Sequence, residues 1–283
     1  MTNPLLRVKI YIVKLSSPIK CGRQVWNEGK IVMGWKIAFG IIGGILGTVI
    51  AAFLLAVLFL WICSLFVKNK EYEKHSRFYR WLLTTATTIG LWIVRVKIHT
   101  KGIEKMPQGR FLLVQNHRSK FDPLVSWVVF KKQDVAFISK KSNFKVPIFG
   151  KIIRKCCFMA IDRENPRNAV KTVEKASELL KNDEVSVGVY PEGTRSYGKE
   201  LLPFHNSVFK IAQKAGVPIV ITGIDGTEKV AKRTPWKRTD VYLEVLDVIP
   251  AEEAKGMRTA EIGERMQKQL NDWIKTERGE NER

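Results

Sequence analysis

The alternation of apolar and polar positions divides the chain into three parts. Residues 1–36 mix basic and apolar side chains without a clean period, and Pro4 and Pro18 interrupt any long helix there. Ile37 to Val67 is an uncharged run of 31 positions. As one helix it would extend about 46 Å against a hydrocarbon core of about 30 Å, long for one upright span, so the N-terminal helices either cross once or dip into one leaflet and return. Gly40, Gly43, Gly44 and Gly47 crowd its first half with two G-x-x-x-G spacings, which suit either a helix-packing face or a bent segment. A second apolar stretch, Trp81–Val94, is too short to span, and its Thr and Trp content predicts an interfacial position.

From Ile93 onward short apolar runs alternate with helical patterns. Strand-like runs recur at 93–98, 111–115, 135–139, 156–161, 185–190, 217–222 and 241–249. Helical patterns lie at 123–132, 166–181, 205–215 and 258–277. Asp122-Pro123 and Asn165-Pro166 read as helix starts, and Gly216 as a stop. Such alternation predicts an α/β fold: a largely parallel mixed sheet flanked by helices, preceded by N-terminal membrane-associated helices. The expected domains are a basic N-terminal extension at 1–36, membrane anchor and interfacial helices at 37–94, and the α/β domain at 95–283. The apolar run is about twice a signal-peptide core and lacks a small-residue cleavage pattern, so it is expected to be retained. Met33 is an alternative start.

Charge changes the picture only in part. The formal net charge is +21, and residues 68–110 alone carry ten basic and three acidic side chains. A basic surface beside an apolar span suits anionic lipid headgroups. It would also suit nucleic acid, but no recognition helix or aromatic stacking motif is visible, so none is expected. Cys21, Cys63, Cys156 and Cys157 show neither C-x-x-C spacing nor paired His ligands. They read as reduced structural residues of a cytosol-facing protein, and no metal or redox cofactor is expected.

The candidate chemistry lies in two loops that leave strand-like runs. Asn116-His117-Arg118-Ser119-Lys120-Phe121-Asp122 follows Phe111–Gln115, and Tyr190-Pro191-Glu192-Gly193-Thr194-Arg195-Ser196 follows Val185–Val189. An imidazole near neutrality can take a proton from a hydroxyl, and a carboxylate five residues on can orient it. From the local sequence alone, helix capping is the better explanation of Asp122 before Pro123. The second loop is open to a bland reading too, as a turn held by a Glu–Arg pair.

Taken together, the NHxxxxD spacing and the P-E-G-T-R segment resemble the glycerolipid acyltransferases of the 1-acylglycerol-3-phosphate (lysophosphatidate) O-acyltransferase type. Phe158–Arg163 and Gly216–Val220 resemble two further blocks of that family, in the right order. The resemblance implies that 95–283 is an acyltransferase catalytic domain on the cytoplasmic face of the cell membrane. It implies that His117 is the general base and Asp122 its orienting partner. Glu192, Gly193, Thr194, Arg195 and Arg163 would hold the acceptor, lysophosphatidate. Acyl-CoA or acyl-carrier protein would serve as co-substrate, without a cofactor. After Leu202-Pro203-Phe204 the family commonly shows Lys, then Gly two residues on; here His205 and Ser207 stand there. That departure keeps open another lysophospholipid or glycerol 3-phosphate as acceptor. A basic, membrane-tethered binding module without chemistry is the remaining alternative.

Overall fold

The first helix, α1, runs from Pro18 to Leu65 in the computed structural model, which describes residues 18–162, 166–197 and 200–281. Pro18 was expected to interrupt a helix, but it occupies the first helical position, where no backbone N–H is needed. Within α1, Met33–Leu65 is long and apolar enough to cross a membrane, and 0% of its most apolar window is buried. A Cβ added at Gly40, Gly43, Gly44 or Gly47 would meet open space. The remainder of the basic extension, Met1 to Ser17, lies outside the described residues.

The chain divides into two compact units, Met1–Ile62 and Cys63–Arg283. Helix α2 (Arg77–Ile93) opens the larger unit and buries Tyr79, Leu82, Leu83, Thr87 and Leu91. The Tyr79 hydroxyl donates to the Cys63 carbonyl at 2.8 Å. Helix α2 is amphipathic and spends one face on the α/β core, which is why it belongs to the larger compact unit.

Among the described residues seven strands follow in one sheet: β1 (Val96–Lys101), β2 (Leu112–Gln115), β3 (Ala136–Lys140), β4 (Met159–Ile161), β5 (Val187–Val189), β6 (Ile219–Asp225) and β7 (Thr239–Ile249). Their spatial order is β1-β7-β6-β2-β5-β3-β4, parallel throughout except for the antiparallel β6–β7 pair. This is the expected largely parallel mixed sheet. Between the strands run α3 (Asp122–Val129), α4 (Phe149–Lys155), α5 (Pro166–Lys181), α6 (Lys210–Ala215) and α7 (Val230–Arg233). The chain closes with α8 (Ala251–Gly256) and α9 (Thr259–Asn281).

Some elements differ from the periodicity. Helix α4 was not expected, because Lys151, Arg154 and Lys155 dilute an apolar face of only Ile152 and Ile153. The pattern at 205–215 is a 3-10 turn, Asn206–Phe209, leading into α6, which Gly216 ends at φ 69°. Asn165, the expected cap of α5, lies outside the described residues.

The core is built by the central strands. All four residues of β2 are buried, and Leu112, Val114, Val187, Val189, Ile219 and Ile221 pack with Phe209, Leu180 and Met266. Such a β2–β5–β6 centre, apolar on both faces, fixes where its C-terminal loops lie. Cys156 and Cys157 belong to this interior, and burial pushes each thiol up to about 12. At pH 8 the thiolate fraction is then on the order of one in ten thousand. We expect neither to react with iodoacetamide in the folded protein and both to react after denaturation, as peptide mass mapping would show. Labelling of the native pair would remove their structural reading.

Candidate active site

Strands β2 and β5 pair in parallel, Leu112 to Val114 against Val187 to Val189, so both motif loops leave neighbouring strands on the same side. Loop ends at the carboxyl edge of a parallel sheet are where α/β proteins place function. The first loop is tied to the sheet by Asn116. Its side chain donates from Nδ2 to the Ile224 carbonyl at 2.9 Å and accepts the Ile224 N–H at 2.8 Å, extending the β2–β6 ladder by one rung.

Asp122 is fully buried, and it does not cap the helix it begins. Helix α3 has no side-chain cap, and Phe121 precedes it in αR conformation. Instead Oδ2 of Asp122 accepts the Arg118 and Ser119 N–H groups at 2.7 Å each, and lies 2.8 Å from His117 Nδ1. Oδ1 accepts the Thr227 hydroxyl. Four donors thus converge on one buried carboxylate, which fixes both its position and the tautomer of His117. With the proton on Nδ1, the Nε2 lone pair is left to act as acceptor. The side chain of His117 keeps 16% of its surface open.

Around this pair the second loop forms a frame. Tyr190 stacks on the His117 ring with centroids 4.3 Å apart, and its hydroxyl is buried. Burial, reinforced by the Asp122 charge, raises that phenol well above its ordinary range. Glu192 Oε1 accepts the His117 N–H at 2.6 Å, and Oε2 accepts the Leu202 N–H at 3.0 Å. The Ser196 N–H and hydroxyl donate to the His117 carbonyl at 2.8 and 3.1 Å. The backbone of His117 is therefore gripped on both sides by the loop that carries the second motif.

Glu192, expected at the acceptor, is 2% exposed, and both of its oxygens accept backbone N–H groups that tie the two loops together. Burial raises its carboxyl above the usual range, opposed by those N–H groups. Gly193 has φ +68°, and a Cβ there would sit 2.8 Å from His205 Cδ2, so the turn needs glycine. Thr194 is exposed. The Arg195 guanidinium lies 5.4 Å from the Tyr197 ring centroid, and among the described residues it has no carboxylate partner. The Glu–Arg pair that would have made this segment an ordinary turn is not formed. Arg163 lies outside the described residues.

Thr227 was missed in the sequence, since it is 105 residues from Asp122 and carries no motif signal. It follows Gly226, whose φ of +90° and a Cβ contact of 2.5 Å with the Asp240 carbonyl admit only glycine. Arg118 pairs with Asp225 at 2.8 Å just before that turn. We expect Thr227→Val, which keeps the shape and deletes the hydroxyl, to lower kcat on the order of tenfold with KM unchanged. A changed KM at constant kcat would place Thr227 in substrate binding instead.

Residues 97–224, which contain both loops, match the family model described as Acyltransferase. The chain is similar to several 1-acyl-sn-glycerol-3-phosphate acyltransferases. It is 30% identical to the Haemophilus influenzae protein of that name over 141 residues, 50% of this chain and 58% of the relative. It is 28% identical to the Saccharomyces cerevisiae one over 178 residues, 62% of this chain and 58% of the relative. The chain thus spans somewhat over half the length of these curated relatives. The crystal structure of the 1-acyl-sn-glycerophosphate (LPA) acyltransferase PlsC from Thermotoga maritima superposes with a TM-score of 0.59 at 24% identity, covering 78% of this chain and 87% of that one. That likeness establishes the shared fold.

Proposed function

We propose that this chain transfers an acyl group from a thioester, acyl-CoA or acyl-carrier protein, to the sn-2 hydroxyl of 1-acyl-glycerol 3-phosphate at a membrane surface, giving phosphatidate for phospholipid synthesis. The carrying observation is the His117–Asp122 pair, with four donors on the buried carboxylate. Nε2 of His117 takes the hydroxyl proton as the oxygen attacks the thioester carbonyl. The C–O bond forms, the C–S bond breaks, and the proton passes to the departing thiolate. Asp122 stabilises the imidazolium that forms between these steps.

Arg195, with its guanidinium uncommitted to a carboxylate, supplies a fork for the acceptor phosphate. Thr194 and the backbone at Gly193 lie beside it. No acyl-enzyme nucleophile is invoked, since Cys156 and Cys157 are buried with their thiols pushed up to about 12. No metal or redox cofactor enters this reading. On this reading helix α1 anchors the protein with the larger unit on the cytoplasmic face, an orientation supported by the basic excess after α1 although the segment before the apolar run is basic too. A binding module without chemistry has no use for a tautomer-fixed imidazole.

The test is acyl transfer by detergent-purified protein, with palmitoyl-CoA and acyl-carrier protein as donors and lysophosphatidate, other lysophospholipids and glycerol 3-phosphate as acceptors. Phosphatidate formed fastest from lysophosphatidate is the expected result. Faster turnover of another acceptor would move the substrate and keep the chemistry; the ring of His205 against Gly193 is the feature that would then matter. No product from any pair would sink the proposal.

A further inference from the structure

The larger unit carries a basic aromatic face outside the site described. Helix α2 turns an apolar stripe outward: Phe78, Trp81, Ile89, Trp92 and Ile93 are exposed, Trp92 by 77%. At its C-terminal end the β6–β7 connection comes alongside. Arg95 Nη1 donates to the Trp236 carbonyl at 3.3 Å, and the Thr239 N–H donates to the Arg95 carbonyl at 3.0 Å. The Thr234 hydroxyl donates to the Val94 carbonyl at 3.5 Å. These bonds fix Trp236, which is 84% exposed, beside the outer end of the α2 stripe.

The charges around Trp236 share one sign. Lys232, Arg233, Lys237 and Arg238 flank it in the connection, and Arg95 and Lys97 lie across from it, all exposed. The carboxylate that lies close, Asp240, is taken by Arg238 at 3.2 Å and His99 at 2.8 Å. A large indole left in solvent within a ring of cations has no folding rationale. Indoles partition to the headgroup boundary of a bilayer, and each nearby Lys or Arg adds about fivefold in affinity for an anionic surface.

We propose that the Lys232–Arg238 loop, together with the outer stripe of α2, is a second membrane contact, with Trp236 inserted at the headgroup level of an anionic bilayer. It deepens the membrane part of the proposed function and rests on it. The contact also bears on the active site. The same connection begins at Thr227, which holds Asp122, and reaches Trp236 nine residues later. The element that completes the charge pair is thus the one seated on the membrane.

The test uses the full chain in vesicles of phosphatidylcholine and phosphatidylglycerol, with Cys21 and Cys63 replaced by Ala. An environment-sensitive fluorophore is placed by Trp236→Cys, by Ala51→Cys in α1, or by Glu252→Cys at the exposed start of α8. The Trp236 and Ala51 probes should be quenched by lipids brominated along the acyl chain, and the Glu252 probe should not. Reversing Lys232, Arg233, Lys237 and Arg238 to Glu in the Trp236→Cys background should remove the quenching there and leave that at Ala51 intact. Quenching at Ala51 but not at Trp236 overturns this proposal alone, and its absence at both overturns the membrane reading with it. A blue shift at Trp236 without lipid quenching, in a chain that sediments as a dimer, would mean that a second copy covers the face, and also overturns it.

Discussion

His117→Ala lowers acyl transfer by about 10²–10⁴-fold, the range that a positioned general base supplies. The side chain makes one polar contact, to Asp122, and one ring stack, on Tyr190, while its backbone bonds persist in the variant. Thermal stability should therefore change little, and the loss should fall on kcat. Asp122→Asn is the informative companion. An Asn can turn its oxygen towards His117 and the Arg118 and Ser119 N–H groups, leaving its NH₂ to the Thr227 hydroxyl, which can rotate to accept. The frame survives, but the charge that stabilises the imidazolium is gone. A loss comparable to that of His117→Ala, with the fold intact by circular dichroism, is the expected outcome. Activity surviving His117→Ala would remove the mechanism.

For Glu192 the second large effect is expected on stability and turnover together. Both of its oxygens accept backbone N–H groups, which cannot reverse as a hydroxyl can. Glu192→Gln must set an NH₂ against one of them, and Glu192→Ala leaves both without a partner in the interior. At about 1–3 kcal/mol for each buried donor left unsatisfied, Glu192→Ala costs about 2–6 kcal/mol. Glu192→Gln falls below that. Since the Glu192 bond holds the His117 backbone, kcat should fall with stability. The pH dependence has a definite sign. Burial raises the Glu192 carboxyl above its unfolded value, so its ionisation on folding is a cost, absent below the unfolded value and incurred as pH rises through the folded one. The stability deficit of Glu192→Ala relative to the parent should accordingly change with pH only in that window. If Glu192 instead bound the acceptor, the variants would raise KM and melt like the parent.

The sequence by itself determined what depends on neighbours along the chain. The bonds that make the NHxxxxD loop a unit run from Asp122 to residues three, four and five positions earlier, so these partners all lie within one short stretch of sequence. Parallel strands buried on both faces read directly as short apolar runs, which is why β2, β5 and β6 and their loops were foreseen. Local spacing could not say whether Asp122 capped a helix or oriented an imidazole, because both are short-range uses of one carboxylate.

Only the tertiary structure decided that. Pairing of β2 with β6 brings Thr227 to Asp122 and Ile224 to Asn116, and pairing with β5 brings Glu192 and Ser196 to the His117 backbone. It also ties Glu192 to backbone donors and leaves Arg195 without a carboxylate partner among the described residues, so the Glu–Arg turn that the sequence left open as an alternative is not formed. Contacts across 75 to 108 residues exist because sheet order juxtaposes strand ends, and sheet order is set by burial of the whole core, which no single stretch encodes.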